Sequence, residues 1–172
     1  MNIVWFKRDL RVHDNHALFA AGSKGPFIPL FIYEPHIWSD SEHGQQQHKF
    51  LFECLHSLNL ELIKLGQPLI YREGKSEEIF ATLTNQFKIN NVFSYEETWS
   101  YSTFKRDVAL RKWFKENKIN WHEFPRNGVV RGLKNRDEWS KEWKDRMAPK
   151  PIKCPNHLIK VDVGSEQLPK NS

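Results

Sequence analysis

The sequence predicts an α/β fold: a five-stranded, doubly wound parallel sheet in the order 3-2-1-4-5, with helices on both faces. Three observations predict it. Short runs rich in β-branched and aromatic residues recur at 3–6, 27–33, 68–72, 91–95 and 119–124. Stretches with apolar residues at helical spacing separate them. The run FIPLFIY at 27–33 is apolar throughout, as an inner parallel strand covered on both faces requires. Parallel strands need crossovers of this length, and such crossovers are right-handed, which leaves few topologies.

Taken in order, IVWF is the first strand. DNHALFAAG (14–22) follows as a short helix, with Asp14 placed as its N-cap and Gly22 as its stop. After the second strand, the loop EPHIWSDSEHG leads into a long helix over about 45–65. Phe50 or Leu51, Cys54, Leu55, Leu58, Leu62 and Leu65 mark its apolar face, Cys54 reading as core, and Gly66 ends it. PLIYR is the third strand. SEEIFATLTNQF is a helix with Ile79, Leu83 and Phe87 on one face and Ser76 as its cap. NVFSY is the fourth strand and EETWSYS its exit loop. A helix from about Thr103 to Asn117 carries Phe104, Val108, Trp113 and Phe114, and INWHEF is the fifth strand.

There the alternation stops. A loop and a short, charged helix run to Met147, and Trp139 and Trp143, at i and i+4, are expected to stitch that helix onto a surface. Its basic residues Lys134, Arg136, Lys141, Lys144 and Arg146 interleave with Asp137, Glu138, Glu142 and Asp145, the pattern of a solvated face rather than a nucleic-acid contact. The last stretch has four prolines and no periodicity, so 149–172 reads as a linker or tail. The whole is a Rossmann-like or flavodoxin-like three-layer sandwich. Ligands bind such sheets beyond the carboxyl ends of the strands, where the strand order reverses. Here that lies between strands 1 and 4, which points to Lys7–Asn15 and Glu96–Tyr101, with Glu34–Trp38 beside them.

Bulk properties bound the reading. A chain of 172 residues is long enough for one domain with a real core and short of two ordinary ones. The formal charge of +5 tolerates a polyanionic partner without demanding one. Cys54 and Cys154 form no framework of pairs, which favours a reducing compartment. The chain enters its first strand without a signal peptide, and no apolar run approaches the ~18 residues of a membrane span. A soluble, cytoplasmic protein with no membrane contact is the expectation.

The exit of strand 1, FKRDLRVHD, is dense in charge and contains no glycine. It cannot supply the G-x-G-x-x-G turn of a dinucleotide fold or a Walker loop. Nor does it offer the Ser/Thr/Gly-rich cradle that flavodoxins close around a flavin phosphate. Arg8, Asp9 and Arg11 are instead suited to pair with one another and with nearby loops, fixing a rigid rim. The eight histidines are scattered. His43 and His48 lack the spacing of metal ligands, and no nucleophile–base arrangement stands out. No metal site and no catalytic residue is assigned.

VWFKRDLRVHDNHAL closely resembles the opening signature of the DNA photolyase and cryptochrome family. Trp5, Phe6, Lys7, Arg8, Asp9, Leu10, Arg11, Asp14, Asn15 and Leu18 match it. PLFIYEP, KFLFECLHSLNLELIKLGQPLIYREG, VFSYEETWSYSTFKRDVALRKWF and INWHEFPRNGVVRGLKNRDEW are similar too, in the family's order, and the last resembles a bacterial branch. The resemblance covers roughly 2–150. It implies that 1–148 is the family's N-terminal α/β domain, which houses an antenna chromophore. It implies further that 149–172 leads toward an absent C-terminal helical domain that binds FAD and damaged DNA and carries the tryptophan electron chain. On this resemblance the parent activity is blue-light-driven repair of pyrimidine dimers, or photosensing, and these residues alone lack the catalytic domain.

By position in that family, the antenna pocket here is expected to draw on Lys7, Arg8, Glu34, Trp38, Gln47, Glu96, Glu97, Tyr101 and Phe104, with Trp38, Tyr101 and Phe104 stacking on a flat heterocycle. Gln47 stands where many members carry Arg. Ser102 and Thr103 stand where folate-using members carry Asn-Glu. The resemblance therefore favours a flavin or deazaflavin antenna over methenyl-folate, or an empty pocket. An exposed apolar seam toward the missing domain, able to support a homodimer, is expected as well. The alternative reading is a stand-alone nucleotide-binding or interaction module of the same fold without light chemistry. Retained near-UV or blue absorption separates the first reading from tight adenine-nucleotide binding, which marks the second.

Overall fold

The computed structural model describes residues 1–39, 44–130, 132–133 and 135–169. Five parallel strands form one sheet in the order β3-β2-β1-β4-β5. They are β1 (Asn2–Phe6), β2 (Phe27–Tyr33), β3 (Ile70–Glu73), β4 (Asn91–Tyr95) and β5 (Asn120–Phe124). The helices are α1 (His16–Gly22), the single turn α2 (Pro35–Trp38), α3 (Gln45–Lys64), α4 (Ser76–Gln86), α5 (Tyr101–Glu116) and α6 (Trp139–Met147). The order is the one the sequence predicts.

Strand alternation builds two cores. Val4 and Phe6 point to one face with Phe31 and Tyr71, where α1 and α3 cover them through Leu18, Leu51, Leu55, Leu58 and Leu62. Ile3 and Trp5 point to the other, with Ile28, Leu30, Ile32 and Val92, under Phe80 and Leu83 of α4 and Leu110 and Phe114 of α5.

Several local expectations shift. Asn15, not Asp14, caps α1: its Oδ1 accepts from Leu18 N at 2.9 Å. Asp14 sits at a positive φ of 50° and instead accepts from Ile152 N at 3.1 Å. Ser76 is the first residue of α4, not its cap, and its N–H donates to the distant Glu34 Oε1 at 3.2 Å. Helix α5 starts at Tyr101, two residues early, because Ser100 and Thr103 bond each other's backbone in a capping box. Its inner face is Thr103, Asp107, Leu110 and Phe114, so Phe104 and Val108 face out. On α3 the buried phase runs through Leu51, leaving Phe50 exposed and Cys54 only partly covered. Trp139 Nε1 donates to Gly128 O at 2.9 Å and so anchors α6, though both its indoles stay exposed. Lys134 and His43 lie outside the described residues.

The segment after Met147 forms no helix or strand, yet it packs. Asp14 and Ile152 exchange hydrogen bonds at 3.1 Å each. The chain then runs parallel to β3 along the sheet's open edge. Leu158 N donates to Leu65 O at 2.7 Å, Tyr71 N to Ser165 Oγ at 2.9 Å, and Glu166 N to Tyr71 O at 3.1 Å. The Gln67 amide brackets the Val161 backbone, accepting at 2.6 Å and donating at 3.3 Å. Leu158 joins one core and Val161 the other. This strap satisfies backbone groups that an edge strand would otherwise present to another chain. Composition hides it, because its contacts are long-range and its conformation aperiodic.

Candidate functional site

The exits of β1, β2 and β4 meet at one end of the sheet, flanking the reversal of strand order. Behind them lies a buried ionic network. Lys7 Nζ contacts Asp107 Oδ2 at 3.1 Å, with both side chains almost fully buried. Arg106 Nη2 holds the other oxygen of Asp107 at 2.8 Å, Arg106 Nη1 holds Glu34 Oε2 at 2.6 Å, and Glu97 Oε2 stands 3.7 Å away. Burial pulls the Lys7 ammonium below its ordinary value, with Asp107 working against it. Burial also works to lower the Arg106 guanidinium, but Asp107 and Glu34 outweigh it and the net displacement is upward. Glu34 also receives Ser76 N, and Glu97 Oε1 receives Thr98 N and Trp99 N at 3.0 and 3.1 Å. The network thus fixes the exit loops of β2 and β4 relative to β1.

In front of the network opens a cleft of about 510 Å³, within the range of small-molecule sites. The charged corner Lys7–Arg11 forms one side. Trp38, Trp99, Phe50 and Leu51 supply apolar wall, and Gln47, Cys54 and Arg126 complete it. Trp38 and Trp99 meet at 5.4 Å between ring centroids. The Arg8 guanidinium lies 3.9 Å over the Trp99 ring. Arg11 donates to the carbonyls of His13 and Asp14, stiffening the corner. Asp9 is buried with its Oδ1 unpartnered, and burial above all raises its carboxyl's pKa.

Of the residues singled out from sequence, Lys7, Arg8, Trp38 and Gln47 reach the cleft. Glu34 and Glu97 stand behind it in the network. Glu96 faces Arg146 of α6 at 3.8 Å. Tyr101 and Phe104 are not brought there: 70% and 53% exposed, they stack on each other at 6.5 Å on the outer face of α5. The capping box sets that phase, because Thr103 and Asp107 take the inner positions. Trp99 and Arg126 were missed. Trp99 lies inside the flagged loop Glu96–Tyr101. Arg126 follows an edge strand and carries no local signal.

A doubly wound α/β domain with an aromatic-walled cleft at its switch point has the architecture in which open α/β sheets bind ligands. The family model for DNA photolyase matches residues 2–135, and the chain belongs to that family. It is 37% identical over 107 residues to a chloroplastic/mitochondrial cryptochrome DASH of Arabidopsis thaliana, covering 58% of this chain and 19% of that protein. A bacterial class III photolyase from Agrobacterium tumefaciens superposes with a TM-score of 0.78 at 26% identity, over 97% of this chain and 37% of the other. An archaeal photolyase from Sulfolobus tokodaii, described as holding two FAD molecules and implying a novel light-harvesting cofactor, superposes at 0.73 with 22% identity, over 94% and 39%. The chain thus spans about a fifth of that curated relative and under two fifths of those structures. It corresponds to the family's N-terminal domain, and the match does not favour a stand-alone module. No helix among the described residues is long and apolar enough to cross a membrane.

Proposed function

We propose that this domain is the antenna module of a light-driven flavoprotein, holding a flat pigment of flavin or deazaflavin type in the cleft at the β1, β2 and β4 exits. The observation that carries the reading is a cleft lined both by the indoles of Trp38 and Trp99 and by the charged residues Arg8, Asp9 and Arg126, with Arg8 lying on the Trp99 ring. Indole is a side chain against which a flat heteroaromatic ring packs well. Asp9 Oδ1 lacks a partner, and Arg126 makes no hydrogen bond or ion pair among the described residues, so the rim can supply an acceptor for a ring N–H and a donor to a ring carbonyl. The two FAD molecules of the archaeal relative support a flavin-class occupant. The pigment would supply blue-light absorption, while this chain's residues bind it, orient it and exclude water.

In a longer family protein the energy would pass to FAD in a C-terminal helical domain, which would carry out DNA repair or photosensing. The exposed face of α5, with Tyr101, Phe104 and Val108, is the seam proposed for that domain, or for a second copy in its absence. The test is reconstitution. The purified chain, incubated with riboflavin, FMN or a deazaflavin and then desalted, should retain near-UV or blue absorption, and Trp38→Ala with Trp99→Ala should abolish retention. Failure to retain any of these pigments, with tight adenine-nucleotide binding instead, would refute the reading.

A further inference from the structure

Arg126 reaches the cleft from beyond the end of the sheet. The ladder between β4 and β5 stops at Phe124, and Arg126 stands in the turn that follows. That turn is held by contacts made outside the ladder. Asn127 Nδ2 donates to Thr98 Oγ1 in the β4 exit loop at 3.3 Å, and Asn127 Oδ1 accepts from Val129 N at 3.0 Å. Helix α6 takes the next two carbonyls. Trp139 Nε1 donates to Gly128 O at 2.9 Å, and Arg146 Nη1 donates to Val129 O at 2.8 Å. The Trp143 ring lies so close over Gly128 that a Cβ there would collide with it. Arg146 also faces Glu96 of the β4 exit loop at 3.8 Å. Among the described residues, none of α6 lines the cleft.

Resting on the flavin-class occupant proposed above, we infer that Arg126 is a specificity-determining residue of the cleft and that Trp139, Trp143 and Arg146 are its positioning residues, acting on the pigment only through the turn 127–129. Helix α6 has no buried residue, so burial in a core does not explain its place. Its polar contacts are aimed at the backbone of the turn instead. A long guanidinium side chain on an unsupported turn loses freedom when it meets a ring carbonyl, and that loss subtracts from affinity. Holding consecutive carbonyls at 128 and 129 fixes the backbone from which Arg126 enters, so the ordering is complete before the pigment arrives. Arg126 stands near enough to Arg8 and Asp9 to act on both charges. The clamp also joins the exits of β4 and β5, because Asn127 and Arg146 reach Thr98 and Glu96 of one loop. A helix outside the cleft thus sets the position of a donor inside it.

The experiment measures FMN binding to the full chain by equilibrium dialysis, with the circular dichroism of the bound ring reporting how it is held. Arg126→Ala is expected to weaken binding about tenfold, the loss of one charge-assisted hydrogen bond, and to change the dichroism. Arg146→Ala should weaken binding several-fold with the same change in dichroism. Trp139→Phe, which deletes the indole N–H and keeps an aromatic ring, should do likewise and carries this arm if Arg146→Ala does not fold. Lys141→Ala, exposed on α6 and outside these contacts, should do neither. The deciding arm is the double variant: with Arg126 already alanine, the α6 substitution should cost nothing further. If the unaltered chain binds no FMN, the proposed occupant fails and this inference falls with it. If FMN binds but Arg126→Ala leaves its affinity unchanged, or the α6 losses are absent or add in full to that of Arg126→Ala, the positioning inference alone is overturned and the antenna reading stands.

Discussion

Replacing Gln67 with alanine tests whether the strap over β3 belongs to the folded domain. Gln67 is 0% exposed and brackets Val161 with two hydrogen bonds, at 2.6 Å to its N–H and 3.3 Å from its carbonyl. Alanine leaves both Val161 groups buried without partners, at about 1–3 kcal/mol each. Local peeling of the strap, which readmits water, holds the expected total to about 2–4 kcal/mol. Peeling has its own limit, because it withdraws Leu158 and Val161 from the two cores at about 1.5–3 kcal/mol per side chain. The assay is urea unfolding of Gln67→Ala in two backgrounds, the full chain and a chain ending at Ala148. In the full chain the midpoint should fall at nearly constant slope, and amide exchange at Tyr71 and Leu158 should quicken. In the shortened chain, where Val161 is missing, the same substitution should cost less than about 1 kcal/mol. Equal losses in both backgrounds, or a loss under about 0.5 kcal/mol in the full chain, would refute the docked strap.

Other perturbations probe the corner and the helix starts. Lys7→Met leaves Asp107 buried with only Arg106 for charge compensation and should cost about 3 kcal/mol in urea melts. Adding Asp107→Asn should cost clearly less than the sum of the two single losses. Asp9→Asn should stabilise the protein at neutral pH and not in acid. Burial raises the folded pKa of Asp9 above its ordinary 3.8, so this group's contribution is whole below that value and is lost as pH rises through the folded pKa. The difference in Tm between variant and wild type, followed from acid to neutral pH, should therefore grow with pH, and a flat difference would contradict the burial argument. Gly66→Ala should loosen the strap: Gly66 has φ +106°, and an added Cβ would lie 2.8 Å from the His157 ring and 2.9 Å from Leu158 O. Ser100→Ala should cost about 1 kcal/mol and quicken amide exchange at Thr103.

The sheet order was legible because apolar runs and helical spacing are local, and crossover handedness does the rest. Element phase was less legible. Phe104 and Val108 look like core by hydropathy, but Asp107 takes the inner position because Lys7 waits for it across the sheet exit. A buried ion pair between residues a hundred apart leaves no trace in a local window. The same holds for Ser76, whose helix is served by the carboxylate of Glu34 rather than by its own hydroxyl. The cleft was half legible. The switch-point rule located the loops, and Lys7, Arg8, Trp38 and Gln47 do gather there. Tyr101 was misplaced because the expected exit loop through Ser102 becomes helix at Tyr101, two residues early, turning its ring outward.

The glycine-free corner after β1 now has a physical account. A glycine loop lets backbone approach a phosphate by giving up rigidity. Here the charges divide into two sets with different roles. Lys7, with Glu34, Glu97, Arg106 and Asp107, is buried and mutually paired, so it locks three strand exits in place. Arg8 and Asp9 face the cleft without such closure, one spread on an indole and the other lacking a partner at Oδ1. Light harvesting by dipole coupling depends on the fixed orientation of a ring and needs no chemistry at a phosphate. A rigid floor beneath an unsatisfied polar rim and an indole wall meets that requirement. Loosening the floor should therefore disturb how a ring is oriented before it disturbs whether the ring binds, which separates the two sets of charges by experiment as well as by position.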